Sequence, residues 1–74
     1  MANINTIGET IGIRIKELRK SRNLTQRAFA ERLNITKSTV SAYENGSRLP
    51  SYDVLLKIAD AFHVTTDTLL GIGS

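Results

Sequence analysis

Lys37, Ser38, Thr39, Ser41 and Ala42 stand close together in the middle of the chain, and none of them is acidic. An ammonium on a long stem reaches phosphate oxygens, and hydroxyls both donate and accept, so they can bond either a phosphate or the edge of a base. The methyl of Ala42 makes no hydrogen bond and can read only a thymine methyl or nothing. The exposed face of a purely structural helix usually carries Glu as well, and this one does not. The chemistry on offer is recognition of a polyanion, with no bond-making step. Glu9, Glu17, Glu31, Asp53, Asp60 and Asp67 show no pairing that suggests general acid–base catalysis, so no enzyme is expected. With no Cys and a single His, His63, disulfides and thiolate metal sites are excluded and an imidazole zinc site is disfavoured. His63 reads as an ordinary loop residue. No cofactor and no small-molecule site is expected.

These side chains reach a groove only if they stand at the free start of a helix. Leu33-Asn34-Ile35-Thr36 is a very tight connection, with Asn34 placed to reverse the chain at positive φ. Two short helices joined this closely cross steeply, and the second projects. Helix signals cover the rest. Thr25, Thr36, Ser51 and Thr65 are hydroxyl N-caps. Leu24, Ile35 and Val64 precede three of them and are spaced to staple onto Phe29, Val40 and Leu69. The pattern predicts helices over 26–33, 37–45, 52–62 and 66–70, ended in turn by Asn34, Gly46, the His63 loop and Gly71. Gly8 and Gly12 argue against a firm helix near the start, so Thr10 is the better cap. The first helix is expected over 11–21, ending at Asn23, behind a loose N-terminal arm, 1–10. Inward positions are Ile11, Ile15, Leu18, Phe29, Ala30, Leu33, Val40, Tyr43, Leu55, Ile58, Ala59 and Phe62. Tyr43 reads as core, not as a stacking platform for bases. The fold class is all-α: a compact bundle of five short helices with a helix-turn-helix at helices 2 and 3.

Seventy-four residues fit one domain. A domain this small buries only about 60% of its unfolded surface, so its core must be made from few residues. No apolar run approaches a membrane span, and Met1-Ala2-Asn3-Ile4-Asn5 does not resemble a signal peptide, which makes the cytoplasm the default location. The formal charge is +3. Residues 1–48 hold nine Lys/Arg against four Asp/Glu, net +5, and residues 49–74 hold one Lys against three Asp, net −2. A basic front and a mildly acidic back suit a protein that turns one side toward a polyanion, although a solvated helical surface would look similar.

The chain also resembles a known family. Over residues 11–71 it is similar to the Cro/repressor helix-turn-helix family, also called the XRE family and typified by phage repressors. The similarity rests on Ile15-Lys16-Glu17-Leu18-Arg19-Lys20, Leu24-Thr25-Gln26, Ala30-Glu31-Arg32-Leu33, Ser38-Thr39-Val40-Ser41, Tyr43-Glu44-Asn45-Gly46, Pro50-Ser51, Leu55-Leu56-Lys57-Ile58-Ala59 and Leu69-Leu70-Gly71. It implies sequence-specific binding of double-stranded DNA, with helix 37–45 in the major groove. By the same resemblance Lys37, Ser38 and Ala42 face base edges. Gln26, Thr39 and Asn45 meet phosphates, joined by Arg27 and Arg48. Arg19 and Glu44 form a structural ion pair. The family often has Gly where this chain has Asn23 and Asn34, and Asn is the next-best residue for positive φ.

The expected function is transcriptional regulation, as a repressor, by a dimer on an inverted-repeat operator. Two other readings keep the fold: a protein-interaction or antitoxin module, and the N-terminal specificity domain of a larger regulator or enzyme. An interaction module should carry apolar residues on the face where this chain has Lys, Ser and Thr. Pairing is expected through the back of the domain, where Leu69, Leu70 and Ile72 gather. The homodimer should be weak, strengthened on DNA or by an absent C-terminal segment beyond the 72–74 tail.

Overall fold

The computed structural model describes residues 4–71, with side chains from Glu9 onward. The helices are α1 Ile4–Ser21, α2 Gln26–Leu33, α3 Lys37–Glu44, α4 Tyr52–Phe62 and α5 Thr66–Leu70, with no strand among the described residues. Residues 1–3 and 72–74 lie outside the described residues.

One junction is built three times. Asn23, Asn34 and His63 each take the left-handed conformation, at φ 59°, 57° and 56°. The next residue is apolar, and its N–H reaches back to close the helix behind it: Leu24 to Arg19 O at 3.1 Å, Ile35 to Ala30 O at 3.0 Å and Val64 to Ala59 O at 3.1 Å. A threonine follows and caps the next helix. Thr25 Oγ1 accepts from the Ala28 N–H at 3.0 Å, Thr36 from Thr39 at 3.1 Å and Thr65 from Thr68 at 3.1 Å. Ser51 caps α4 in the same way, accepting from Val54 at 3.2 Å. Each such cap stabilises by about 1 kcal/mol. His63 is therefore more than a loop residue: it stops α4 as Asn34 stops α2.

The first helix departs from expectation, starting at Ile4 and running through Gly8, Thr10 and Gly12. The reason is tertiary. A Cβ at Gly12 would stand 2.4 Å from Tyr43 O and 2.9 Å from Glu44 O, both backbone atoms of α3. Gly12 is where α1 lies directly on α3, so the missing side chain serves packing. The helix forms despite a propensity cost of about 1 kcal/mol.

The core is Ile11 and Ile15 from α1, Phe29, Ala30 and Leu33 from α2, Val40 and Tyr43 from α3, Leu55, Ile58 and Phe62 from α4, and Leu69 from α5. Phe29 and Phe62 stack with centroids 4.8 Å apart and planes 9° from parallel. Each buried Phe contributes about 1.5–3 kcal/mol. Leu18 and Ala59, expected inward, are half-buried. Leu69 is a correction of a different kind: at 1% exposure it is core and cannot belong to a pairing surface. Leu70 is half-buried, and Ile72 lies outside the described residues. The spacing of Val64 to Leu69 already marks Leu69 as the inward leucine, and the staple, not the pairing surface, is what the fold keeps.

Candidate nucleic-acid interface

The connection from α2 to α3 holds only Asn34, Ile35 and Thr36. Ile35 packs on the core, so the turn is fastened from beneath. Lys37 and Ser38 then open α3 as exposed residues. Thr39 is half-buried, and its hydroxyl shares a 2.8 Å hydrogen bond with the Thr36 hydroxyl. Ala42 is half-buried in the next turn.

Past α3 the chain folds back on itself. The Ser47 and Arg48 N–H groups both donate to Ala42 O, at 3.0 and 3.3 Å. Gly46 makes this possible at φ 80°. Asn45 Oδ1 accepts from the Ser47 N–H at 2.9 Å, which leaves its amide nitrogen as the outward donor. Arg48 and Arg27 are exposed, and Arg27 stands in the first turn of α2 beside Gln26. With Ala28 taken by Thr25, the backbone N–H groups of Gln26 and Arg27 are the first-turn donors left for an anion.

The ion pair between Arg19 and Glu44 is present. Arg19 Nε donates to Glu44 Oε2 at 2.6 Å and Nη2 to Oε1 at 3.1 Å, with side chains only 11% and 5% exposed. The hydrogen bond to Glu44 lifts the Arg19 guanidinium above its ordinary range, against the opposing effect of burial. Arg19 Nη1 also donates to Leu24 O at 2.8 Å. Gln26 Nε2 joins the pair, donating to Glu44 Oε1 at 3.1 Å. Nothing in the local sequence signals that contact, because it depends on the first residue of α2 meeting the last residue of α3.

Not every cation of the basic half points outward to a ligand. Arg22 Nη2 donates to Phe62 O at 2.8 Å, satisfying a terminal carbonyl of α4. The Arg22 and Arg32 guanidinium carbons lie 6.0 and 5.1 Å from the Phe62 ring centroid. With Arg19 in its pair, these three arginines serve the fold. The expectation of a basic front therefore rests on fewer residues than the count suggested, with Lys37, Arg27 and Arg48 exposed around the helix-turn-helix.

Elsewhere an open groove of about 240 Å³ lies between α1 and α5, lined by residues that include Arg14, Glu17, Leu18 and Thr68. Among the described residues no group of three or more His, Cys, Asp or Glu is placed to hold a metal ion, and no helix is long and apolar enough to cross a membrane.

A helix-turn-helix family model, HTH_3, matches residues 15–69. The chain is 44% identical over 62 residues to the HTH-type transcriptional regulator ImmR of Bacillus subtilis (strain 168), covering 84% of this chain and 49% of ImmR. It is 47% identical over 58 residues to the regulator AnsR of the same organism, covering 78% of this chain and 50% of AnsR. It thus spans about half the length of these relatives. Among solved structures it is similar to the P22 c2 repressor in complex with a synthetic operator, with a TM-score of 0.76, 27% identity and coverage of 81% of this chain and 91% of that one. The chain belongs to the HTH_3 helix-turn-helix family, of the Cro/repressor (XRE) type.

Proposed function

We propose that this chain is the sequence-specific DNA-binding domain of a transcriptional regulator, a repressor acting in the cytoplasm, with α3 as its recognition helix. The observation that carries this reading is the open first turn of α3. Lys37 and Ser38 stand exposed there, while the far end of the same helix is fastened to α1 and α2. In this reading Lys37, Ser38 and Ala42 meet base edges. Gln26, Arg27, Thr39, Asn45 and Arg48 meet phosphates. The two cations on phosphate, Arg27 and Arg48, give a salt slope of about −2 per domain.

One short helix makes too few contacts for a specific site, so two copies pair on an inverted repeat with half-sites about one helical turn apart. With Leu69 buried, the exposed large apolar side chains on and beside α4 are Tyr52 and Leu56, one turn apart at 67% and 43% exposure, and Leu49 just before it at 50%, while Ile13 is exposed on α1. The patch is small, so the free protein is a monomer or weak dimer that pairs on DNA. Selection from a random duplex pool tests class and symmetry together. An enriched inverted repeat is expected, and a pool that stays random overturns the reading. Analytical ultracentrifugation with a palindromic duplex tests the pairing, and a complex of one chain per duplex removes the dimer.

A further inference from the structure

We propose that Glu44 is a positioning residue for the phosphate contact: its carboxylate fixes the Gln26 carboxamide in the binding pose before DNA arrives. This rests on the DNA-binding reading above. A carboxylate only accepts, so the contact itself sets which way the amide faces, with Nε2 toward Glu44. One amide hydrogen is used there, and the second remains for a phosphate oxygen at the start of α2.

The carboxylate is itself immobilised. Arg19 holds both of its oxygens, and Arg19 in turn donates to Leu24 O in the link between α1 and α2. The bracing runs from that link through Arg19 to the end of α3, and back to the first residue of α2. Holding α1 to α3 needs only the two Arg19 contacts. The third contact falls on Gln26, the residue expected to meet phosphate. Gln is among the side chains that lose most rotamer freedom when fixed, and a pose already held in the free protein moves that loss from binding to folding. Arg19 also offsets the carboxylate's repulsion of a nearby phosphate.

The test is a double-mutant cycle read on DNA affinity, with operator and random duplexes, at a temperature where circular dichroism shows every variant folded. In Glu44→Gln the charged Arg19 takes the one remaining oxygen, and an N–H is left against the Gln26 amide. Gln26→Ala should weaken both duplexes alike, by about tenfold. Glu44→Gln should weaken the otherwise wild-type protein by about fivefold and the Gln26→Ala protein by less than about twofold. Equal factors in the two backgrounds overturn the proposal, since a merely structural role adds independently. Nitrogen relaxation of the Gln26 side-chain amide in free wild-type protein needs no variant and decides even if Glu44→Gln does not fold. An order parameter above about 0.6 is expected, and a freely rotating amide overturns the proposal. A wild-type protein that binds no duplex removes the DNA-binding reading and this proposal together, whereas equal factors remove only this one.

Discussion

The two ends of α3 are opposites. At its start Lys37 and Ser38 are exposed, above a first turn anchored by the Thr36 cap, the packing of Ile35 beneath and the buried Val40. At its end the Tyr43 and Glu44 carbonyls lie against Gly12, and the Glu44 carboxylate takes three hydrogen bonds from Arg19 and Gln26. A short helix that enters a groove, as proposed for α3, must be rigid without being covered. Here the rigidity is supplied at one end, so the other is left bare. Substitutions at the closed end should therefore act first on stability, with any effect on binding passing through Gln26, and those at the open end on recognition alone.

The largest expected effect is Glu44→Ala. Removing one partner of a fully buried pair costs about 3–5 kcal/mol, because the other charge is left without compensation, and this part-buried pair should lie at the lower end of that range. Urea denaturation measures it, and a variant as stable as wild type would mean that the closed end is not fastened by this pair. Gly12→Ala tests the same end by sign. Helix propensity alone predicts a gain of about 1 kcal/mol. The Tyr43 and Glu44 carbonyls are backbone and cannot swing aside, so a net loss of about 2–3 kcal/mol is expected. A more stable Gly12→Ala protein would show that α1 can lift off α3 freely.

At the open end Ser38→Ala should leave stability within about 0.5 kcal/mol of wild type, as exposed sites do. It should change base preference at one position per half-site by about 1–3 kcal/mol, read by competition between duplexes. Equal loss on every duplex would take Ser38 out of the base-reading set. The smallest effect lies away from α3. His63 holds φ 56° at the third copy of the helix junction, where Gly is the residue of least strain. His63→Gly should stabilise by about 0.5 kcal/mol after the entropy of the freer unfolded chain is counted. A loss in the melting curve would mean that the imidazole makes a contact outweighing its strain.

The contrast between local and distant causes also divides what the sequence disclosed. The caps at Thr25, Thr36, Ser51 and Thr65 were legible, because a hydroxyl and the N–H it accepts are only three residues apart. Asn23 and Asn34 were legible as left-handed residues by type. His63 was not, although it precedes Val64-Thr65 as Asn34 precedes Ile35-Thr36; the repeat of position was the available signal. The start of α1 was hidden, because Gly12 reads locally as a helix breaker and only the position of α3 explains it. The ion pair came from family resemblance, since nothing near Arg19 points to a partner 25 residues on. Arg22 and Arg32 look like ligand-binding charge until Phe62 is placed beside them. Exposed Lys37 and Ser38 were the easy part of the site, and the contact that braces Gln26 was the part no local pattern could supply.

The chain has no Trp and two Tyr, and these tyrosines sit in opposite settings. Tyr43 is 4% exposed at the closed end of α3, while Tyr52 is 67% exposed on α4. The molecule thus carries two built-in optical reporters with separate subjects. The ultraviolet signal of Tyr43 follows the integrity of the bundle. That of Tyr52 follows whatever comes to rest on α4, so a single Tyr→Phe replacement at either position isolates a spectrum for folding from a spectrum for assembly, with no label attached.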